Sequence, residues 1–321
     1  MTKKIMKIAF IFPGQGSQAL GMLANCQDNL LIKESLAQAN EALGINLSEI
    51  MQNGPLERLN QTDITQPALL AMSIALYRVF CAGTILRPSL FAGHSLGEYS
   101  ALVAAGTLDF TDALKLVSLR GQYMQEAVPA GTGAMAAILG MEDNLVLELC
   151  KLCAQGEILD AVNFNSPGQI VIAGTKAAVD RACLKAREMG AKRALLLPVS
   201  VPSHCALMEP AALKLKLALE NITFNPPSLN TIEIIHNVDV KSHQSVLEIK
   251  QALVEQLFKP VLWTQSVADF SKHNITDVVE CGSGKVLTGL VKRINKDLRL
   301  HNIYDLESLN NVITTLQSEA S

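Results

Sequence analysis

Ser89-Leu-Phe-Ala-Gly93-His94-Ser95-Leu96-Gly97-Glu98 is the stretch that decides the fold. Ser89–Ala92 reads as a short apolar strand, and Glu98 to Ala105 reads as a helix built mostly of small residues. Between them lies a tight Gly-His-Ser-Leu-Gly turn. A strand that passes through Gly-x-Ser-x-Gly straight into a helix is the setting of a nucleophile elbow. The flanking glycines tolerate strained dihedrals and close approach of the helix. The turn lifts the Ser95 hydroxyl out of the sheet and aims the helix N-terminus, with its free N–H groups, at whatever the serine attacks.

Working outward, Ile5–Phe12 reads as a strand buried on both faces, as in a parallel sheet. Asp63 to Phe80 reads as a long helix with the stripe Ala68, Leu69, Met72, Ala75, Leu76 and Val79, and Asp112 to Met124 as another. This alternation predicts a hydrolase-like α/β core, a parallel sheet covered by helices. The pattern changes at the linker Ala127-Val-Pro-Ala-Gly-Thr-Gly133. There follow a strand (Gly133–Leu139), a helix (Glu142–Gln155), strands at Ile158–Asn163 and Gln169–Ala173, a helix (Lys176–Met189) and a strand (Arg193–Val199). That order is βαββαβ, the ferredoxin-like unit. The larger pattern then resumes with helices over Leu207–Leu219 and Val246–Leu257, a strand over Thr276–Cys281 and a helix over Val286–Ile294. The expected division is a large domain, 1–130 and 200–321, interrupted by a small inserted domain, 131–199.

Composition bounds the function. At 321 residues, with 49% apolar and 18% charged, the chain buries a large core in about two domains. A net charge of −3 excludes nucleic-acid binding by bulk electrostatics. No run of 18 apolar residues predicts a membrane span. The basic start Met1–Lys7 is followed by only five apolar residues before Pro13-Gly14, too few for a signal peptide. Seven cysteines, an odd number, point to free thiols in a reducing compartment, and the cytoplasm is expected.

A serine hydroxyl needs a base to act as a nucleophile. Of the six histidines, His94 adjoins Ser95 on a tight turn and points elsewhere. His204, in Val201-Pro-Ser-His204, follows the small domain's last strand and sits at the mouth between domains, where ligand sites form. His236, His243, His273 and His301 lie in polar or terminal stretches and read as surface residues. No acidic third member is evident; Asp160 is the one tempting acid before His204.

Six segments occur in a specific order: Phe12-Pro-Gly-Gln-Gly-Ser-Gln18, Gly93-His-Ser-Leu-Gly-Glu-Tyr-Ser100, Arg120, Asn163-Phe-Asn-Ser-Pro-Gly-Gln169, Val201-Pro-Ser-His204 and Gly284-Lys-Val-Leu-Thr-Gly289. Together, from about residue 8 to about residue 295, the chain resembles the malonyl-CoA:acyl carrier protein transacylases of bacterial fatty-acid synthesis. The resemblance implies ping-pong acyl transfer through an acyl-serine. Ser95 matches the nucleophile and His204 the base. The backbone N–H groups of Gln15 and Leu96 match the oxyanion donors, and the carbonyl of Gln256 matches the group orienting the histidine. Arg120 matches the residue holding the malonyl carboxylate, and Asn163 and Asn165 match positions near the cleft. Malonyl-CoA and acyl carrier protein are the implied partners; no metal or organic cofactor is required, and a monomer is expected. Carrier docking is expected on a basic face, either Lys185, Arg187, Lys192 and Arg193 or Lys285, Lys292 and Arg293. One departure is Gly282-Ser-Gly-Lys285, where the family often has proline in place of Ser283.

Competing patterns exist. Gly14-Gln-Gly-Ser-Gln-Ala19 fits a dinucleotide fingerprint, but Glu34 lies within a helical stretch, Asn29–Leu43, where an acidic strand end is wanted. A serine esterase fits Gly-x-Ser-x-Gly but wants an acid between serine and histidine and a glycine-rich donor loop. Cys150-Lys-Leu-Cys153 falls within an amphipathic helix and lacks a second ligand pair, so packing explains it.

Overall fold

A computed structural model of the chain describes residues 6–26, 28–199, 201–227 and 232–320. Its strands are β1 (Ile8–Phe12), β2 (Leu90–Gly93), β3 (Gly133–Leu139), β4 (Leu159–Ser166), β5 (Gln169–Thr175), β6 (Arg193–Leu196), β7 (Glu233–Ile235), β8 (Asp277–Cys281) and β9 (Arg299–Ile303). Five form one sheet in the order β7-β2-β1-β8-β9, with every neighbouring pair parallel. All residues of β1, β2 and β8 are buried, as expected of strands covered on both faces. Side chains alternate between the faces. Phe10, Phe12 and Phe91 meet Tyr77 and Phe80 of the helix Thr62–Gly83, with the Phe10 and Phe80 ring centroids 4.8 Å apart. Ala9, Ile11 and Ala92 face Trp263, Val267 and Phe270 on the other side.

The helix Thr62–Gly83 is long and apolar enough to cross a membrane, yet 78% of its most apolar window is buried inside the protein. Its length reflects the depth of the core it fills.

The remaining four strands form an antiparallel sheet, β4-β5-β3-β6. The helices Asp143–Ala154 and Lys176–Glu188 cover it and share a core with it that includes Ile138, Val146, Leu149, Ile172 and Val179. Chain order and strand order are those of the expected βαββαβ unit. Cys150 and Cys153 are buried in this core, one helical turn apart. β4 is tied to the segment before the helix Trp263–Asp269 by backbone hydrogen bonds: Val261 N–H to Val162 O at 2.8 Å, and Phe164 N–H to Val261 O at 3.0 Å.

Several boundaries differ from expectation. β1 begins at Ile8, and Ile5 lies outside the described residues, as do residues 1, 200 and 321 of the expected domain division. β6 stops at Leu196, short of Val199. The helix expected over Leu207–Leu219 opens as a tight turn, Ala206–Met208, before Glu209–Glu220. β7, β9 and the helices Trp263–Asp269 and Leu306–Ala320 had no reading in the sequence.

Candidate active site

β1 lies mid-sheet between β2 and β8; the chain leaves β1 toward β2 and leaves β8 toward β9, in opposite directions along the sheet. Such a switch point opens a crevice at the carboxyl ends of the strands. Three loops meet there, after β1, β2 and β8. A Cβ on Gly97 would lie 2.0 Å from Phe12 O, and one on Gly93 would lie 1.9 Å from Gly97 C. Only glycine allows the helix Gly97–Ala104 to start this close to β1. Ser95 has φ of 50°, the left-handed conformation of an elbow. Ser283 Oγ donates to Ser17 O at 2.7 Å, joining two of the loops.

The strained serine is clamped from both sides. Its N–H donates to Asn237 Oδ1 at 2.7 Å, while Asn237 Nδ2 donates to Gly93 O at 2.7 Å. Its carbonyl accepts from Gln256 Nε2 at 3.1 Å.

Ser95, His204, Arg120, Gln15, Leu96 and Asn163 line one cleft. His204 is 3% exposed, and its Nδ1 meets Gln256 O at 2.6 Å. A carbonyl only accepts, so Nδ1 carries the hydrogen and Nε2 is the basic nitrogen. Burial, and after it the charge of Arg120, push His204 down to about 3, against the pull of the Gln256 carbonyl. The ring is therefore neutral at pH 7. No Ser95–His204 hydrogen bond is present among the described residues; Ser95 Oγ instead accepts from Arg120 Nη2 at 3.2 Å.

Arg120 is 1% exposed. Its Nη1 donates to Gln66 Oε1 at 2.8 Å and its Nη2 to Gln256 Oε1 at 2.9 Å. Its Nε is buried without a partner, and no carboxylate pairs with it among the described residues. A buried guanidinium held by neutral amides is short of an anion. Burial lowers its affinity for its proton, which the nearby Tyr99 and Glu98 oppose.

The N–H groups of Gln15 and Leu96 donate to nothing among the described residues. Asn163 presents a buried, unpaired Oδ1. Asn165 does not line the cleft; its Oδ1 meets His94 Nε2 at 2.8 Å. His94 is thereby occupied, and its ring lies against Trp263.

Sequence reasoning missed Gln66, Asn237, the Gln256 side chain and the pair Glu98–His236. His236 is corrected from surface to core: it is fully buried, with Nδ1 2.7 Å from Glu98 Oε1. The run Ile232-Glu-Ile-Ile235 before it was the available signal, since its last three residues form β7. His243, His273 and His301 are partly buried beside Asp239, Asp269 and Asp277. Asp160 accepts from Ala206 N–H at 3.4 Å and so steadies the turn after His204. Among the described residues no helix begins between β1 and Leu30, so the dinucleotide fingerprint lacks its helix.

Residues 9–297 match the acyl transferase domain family. The malonyl CoA-acyl carrier protein transacylase of Haemophilus influenzae is 54% identical over 95% of this chain and 98% of its own. The crystal structure of an acyl carrier protein S-malonyltransferase from Vibrio cholerae is also 54% identical, with a TM-score of 0.92 over 95% of this chain and 99% of that one. A type II PKS acyl-carrier protein has been solved in complex with its malonyl-transacylase; the matched chain of that structure is 51% identical, with a TM-score of 0.94 over 96% of this chain and 99% of that one. The chain belongs to the acyl transferase domain family.

Proposed function

We propose that this protein transfers a malonyl group from malonyl-CoA to the phosphopantetheine thiol of acyl carrier protein, supplying fatty-acid elongation, through a malonyl-Ser95 intermediate. The observation that carries this is Arg120, a buried guanidinium with no carboxylate partner among the described residues, hydrogen-bonded to Ser95 Oγ. Malonyl differs from other short acyl groups by a carboxylate two bonds beyond the carbonyl that Ser95 attacks. A planar guanidinium holds such a group with two parallel hydrogen bonds.

The substrate carboxylate takes over the N–H that Ser95 Oγ accepts, freeing the hydroxyl. His204 Nε2 removes its proton as Oγ attacks the thioester carbonyl. The N–H groups of Gln15 and Leu96 receive the developing oxyanion, and losing one such donor costs about 2.7–4 kcal/mol. Collapse breaks the C–S bond, and the coenzyme A thiolate takes the proton from His204. The carrier's thiol then gives its proton to His204 and attacks the ester; Ser95 leaves and is reprotonated. The Gln256 carbonyl fixes the His204 tautomer throughout, a weaker stabiliser of imidazolium than a carboxylate but sufficient where the leaving group is a thiolate. Asn163 Oδ1 is an acceptor suited to an amide N–H of the pantetheine arm.

The parallel sheet is the large domain, 1–130 and 200–321, and the antiparallel sheet is the inserted domain, 131–199. The carrier docks on a basic face, Lys185, Arg187, Lys192 and Arg193 or Lys285, Lys292 and Arg293, all exposed except the half-buried Lys185. The protein acts as a monomer in the cytoplasm, in keeping with its seven free cysteines. Mixing it with malonyl-CoA and carrier protein bearing its pantetheine arm is expected to give malonyl-carrier and free coenzyme A in equal amounts. Free malonate in place of malonyl-carrier would instead make it a hydrolase.

A further inference from the structure

We propose that Glu98 is the anionic positioning residue of this site, acting on both His204 and Arg120 through Gln256. The proposal rests on the reading that Ser95 and His204 carry the transfer.

Glu98 lies in the first turn of the helix after Ser95 and is fully buried. Its Oε1 meets His236 Nδ1 at 2.7 Å, and its Oε2 accepts from Asn237 N–H at 3.0 Å and Gln256 Nε2 at 2.8 Å. The amide groups can only donate. His236 Nε2 is buried with no partner among the described residues. A hydrogen there would be an orphaned donor, so the hydrogen sits on Nδ1 and Glu98 is the ionised acceptor.

Gln256 stands where these groups cross. Its carbonyl holds His204 Nδ1, its Oε1 accepts from Arg120 Nη2, and its Nε2 donates to both Glu98 and Ser95 O. The carboxylate therefore touches neither the base nor the cation, yet one residue links it to both. Two consequences follow. Arg120 has a counter-charge at one remove, so its outward N–H groups stay available to a substrate carboxylate; a direct ion pair would have consumed them. His204 becomes an imidazolium during transfer, and a fixed buried anion nearby favours that state. Glu98 thus does through Gln256 what the acid of a triad does by contact.

Glu98→Gln removes the charge and keeps the shape. Its amide can face His236, whose neutral ring accepts once its hydrogen moves to Nε2. The measurement is single-turnover acylation by malonyl-CoA, read by intact mass, beside a thermal melt. At saturating malonyl-CoA the rate is expected to fall at least tenfold, while the concentration giving half-maximal rate does not rise, because the site is more positive. A purely structural role would lower the melting temperature and leave the rate of the folded protein unchanged; that result, or a rise in the half-maximal concentration, overturns the proposal. Should Glu98→Gln fail to fold, Gln256→Leu tests the same link, since it keeps the carbonyl on His204 and the charge at Glu98. It is expected to slow acylation at least tenfold, and a wild-type rate overturns the proposal. If the wild-type protein takes no malonyl group, or Ser95→Ala still takes one, the functional reading fails instead.

Discussion

Replacing Arg120 by alanine should turn the enzyme away from malonyl-CoA while sparing acetyl-CoA. In this structure the guanidinium is buried, touches Ser95 Oγ and has no anionic partner among the described residues, so it is free to pair with a substrate carboxylate. Hydrogen bonds to charged groups are worth about 1.5–3 kcal/mol each. Two of them, about 3–6 kcal/mol in all, correspond to a loss of about two to four and a half powers of ten in kcat/KM for malonyl-CoA. Acetyl-CoA carries a methyl group there and has no such bonds to lose. Both substrates lose something further, because Gln66 and Gln256 are left without their donor and Ser95 without its neighbour. That common loss cancels in a ratio. The assay is coenzyme A release in the acylation half-reaction with each thioester, on protein shown by thermal melting to be folded. The malonyl-to-acetyl ratio should fall at least about a hundredfold. A ratio within about threefold of wild type, too small a change for even one such bond, would refute the assignment of Arg120 to the carboxylate.

Other outcomes follow from the same geometry. His204→Ala should slow acylation by about 10²–10⁴-fold, the usual worth of a general base, measured as the rate of appearance of the acylated mass. His204 is neutral when folded until about pH 3, whereas the unfolded chain protonates it near pH 6.5. The unfolded state thus binds the extra proton between these values, and stability falls as pH drops through that window. Urea titrations should show wild type losing about 1–2 kcal/mol more than His204→Gln between pH 7 and pH 5. Gly97→Ala would place a Cβ 2.0 Å from Phe12 O and should abolish soluble, acylatable protein. Burial pushes the Asp277 carboxyl up, but hydrogen bonds from His301, Arg299 and Thr276 overcome this and hold it well below the usual range. Asp277→Asn should cost about 1–3 kcal/mol by thermal melting with acylation intact, because Asp277 begins β8 and the site lies beyond its other end.

What the sequence made legible was what is local. Strand, turn and helix of the elbow fall within about fifteen consecutive residues, and the βαββαβ unit is written in periodicities that change every few residues. β7 has three residues, and β9 is the polar Arg-Leu-His-Asn-Ile at a sheet edge, so neither carries a strand's alternation. The clamps around Ser95 join residues far apart in the chain: Asn237 lies 142 positions beyond it and Gln256 161. No spacing rule links such positions. Asn237 and Gln66 read as ordinary polar residues, and His236 reads as exposed because its neighbours Asn237, Asp239 and Lys241 are polar. Gln256 entered through the resemblance, which supplied its carbonyl; the work of its side chain became visible only when Glu98, Arg120 and Ser95 were seen to converge on it.

The central claim is that Ser95 carries the acyl group, and intact mass tests it most directly. Protein mixed with malonyl-CoA and quenched in acid should gain the mass of one malonyl group. Ser95→Ala should gain nothing, and carrier protein bearing its pantetheine arm should discharge the adduct from wild type. An adduct that persists in Ser95→Ala, or a wild-type protein that gains none while malonyl-carrier still accumulates, would contradict the account.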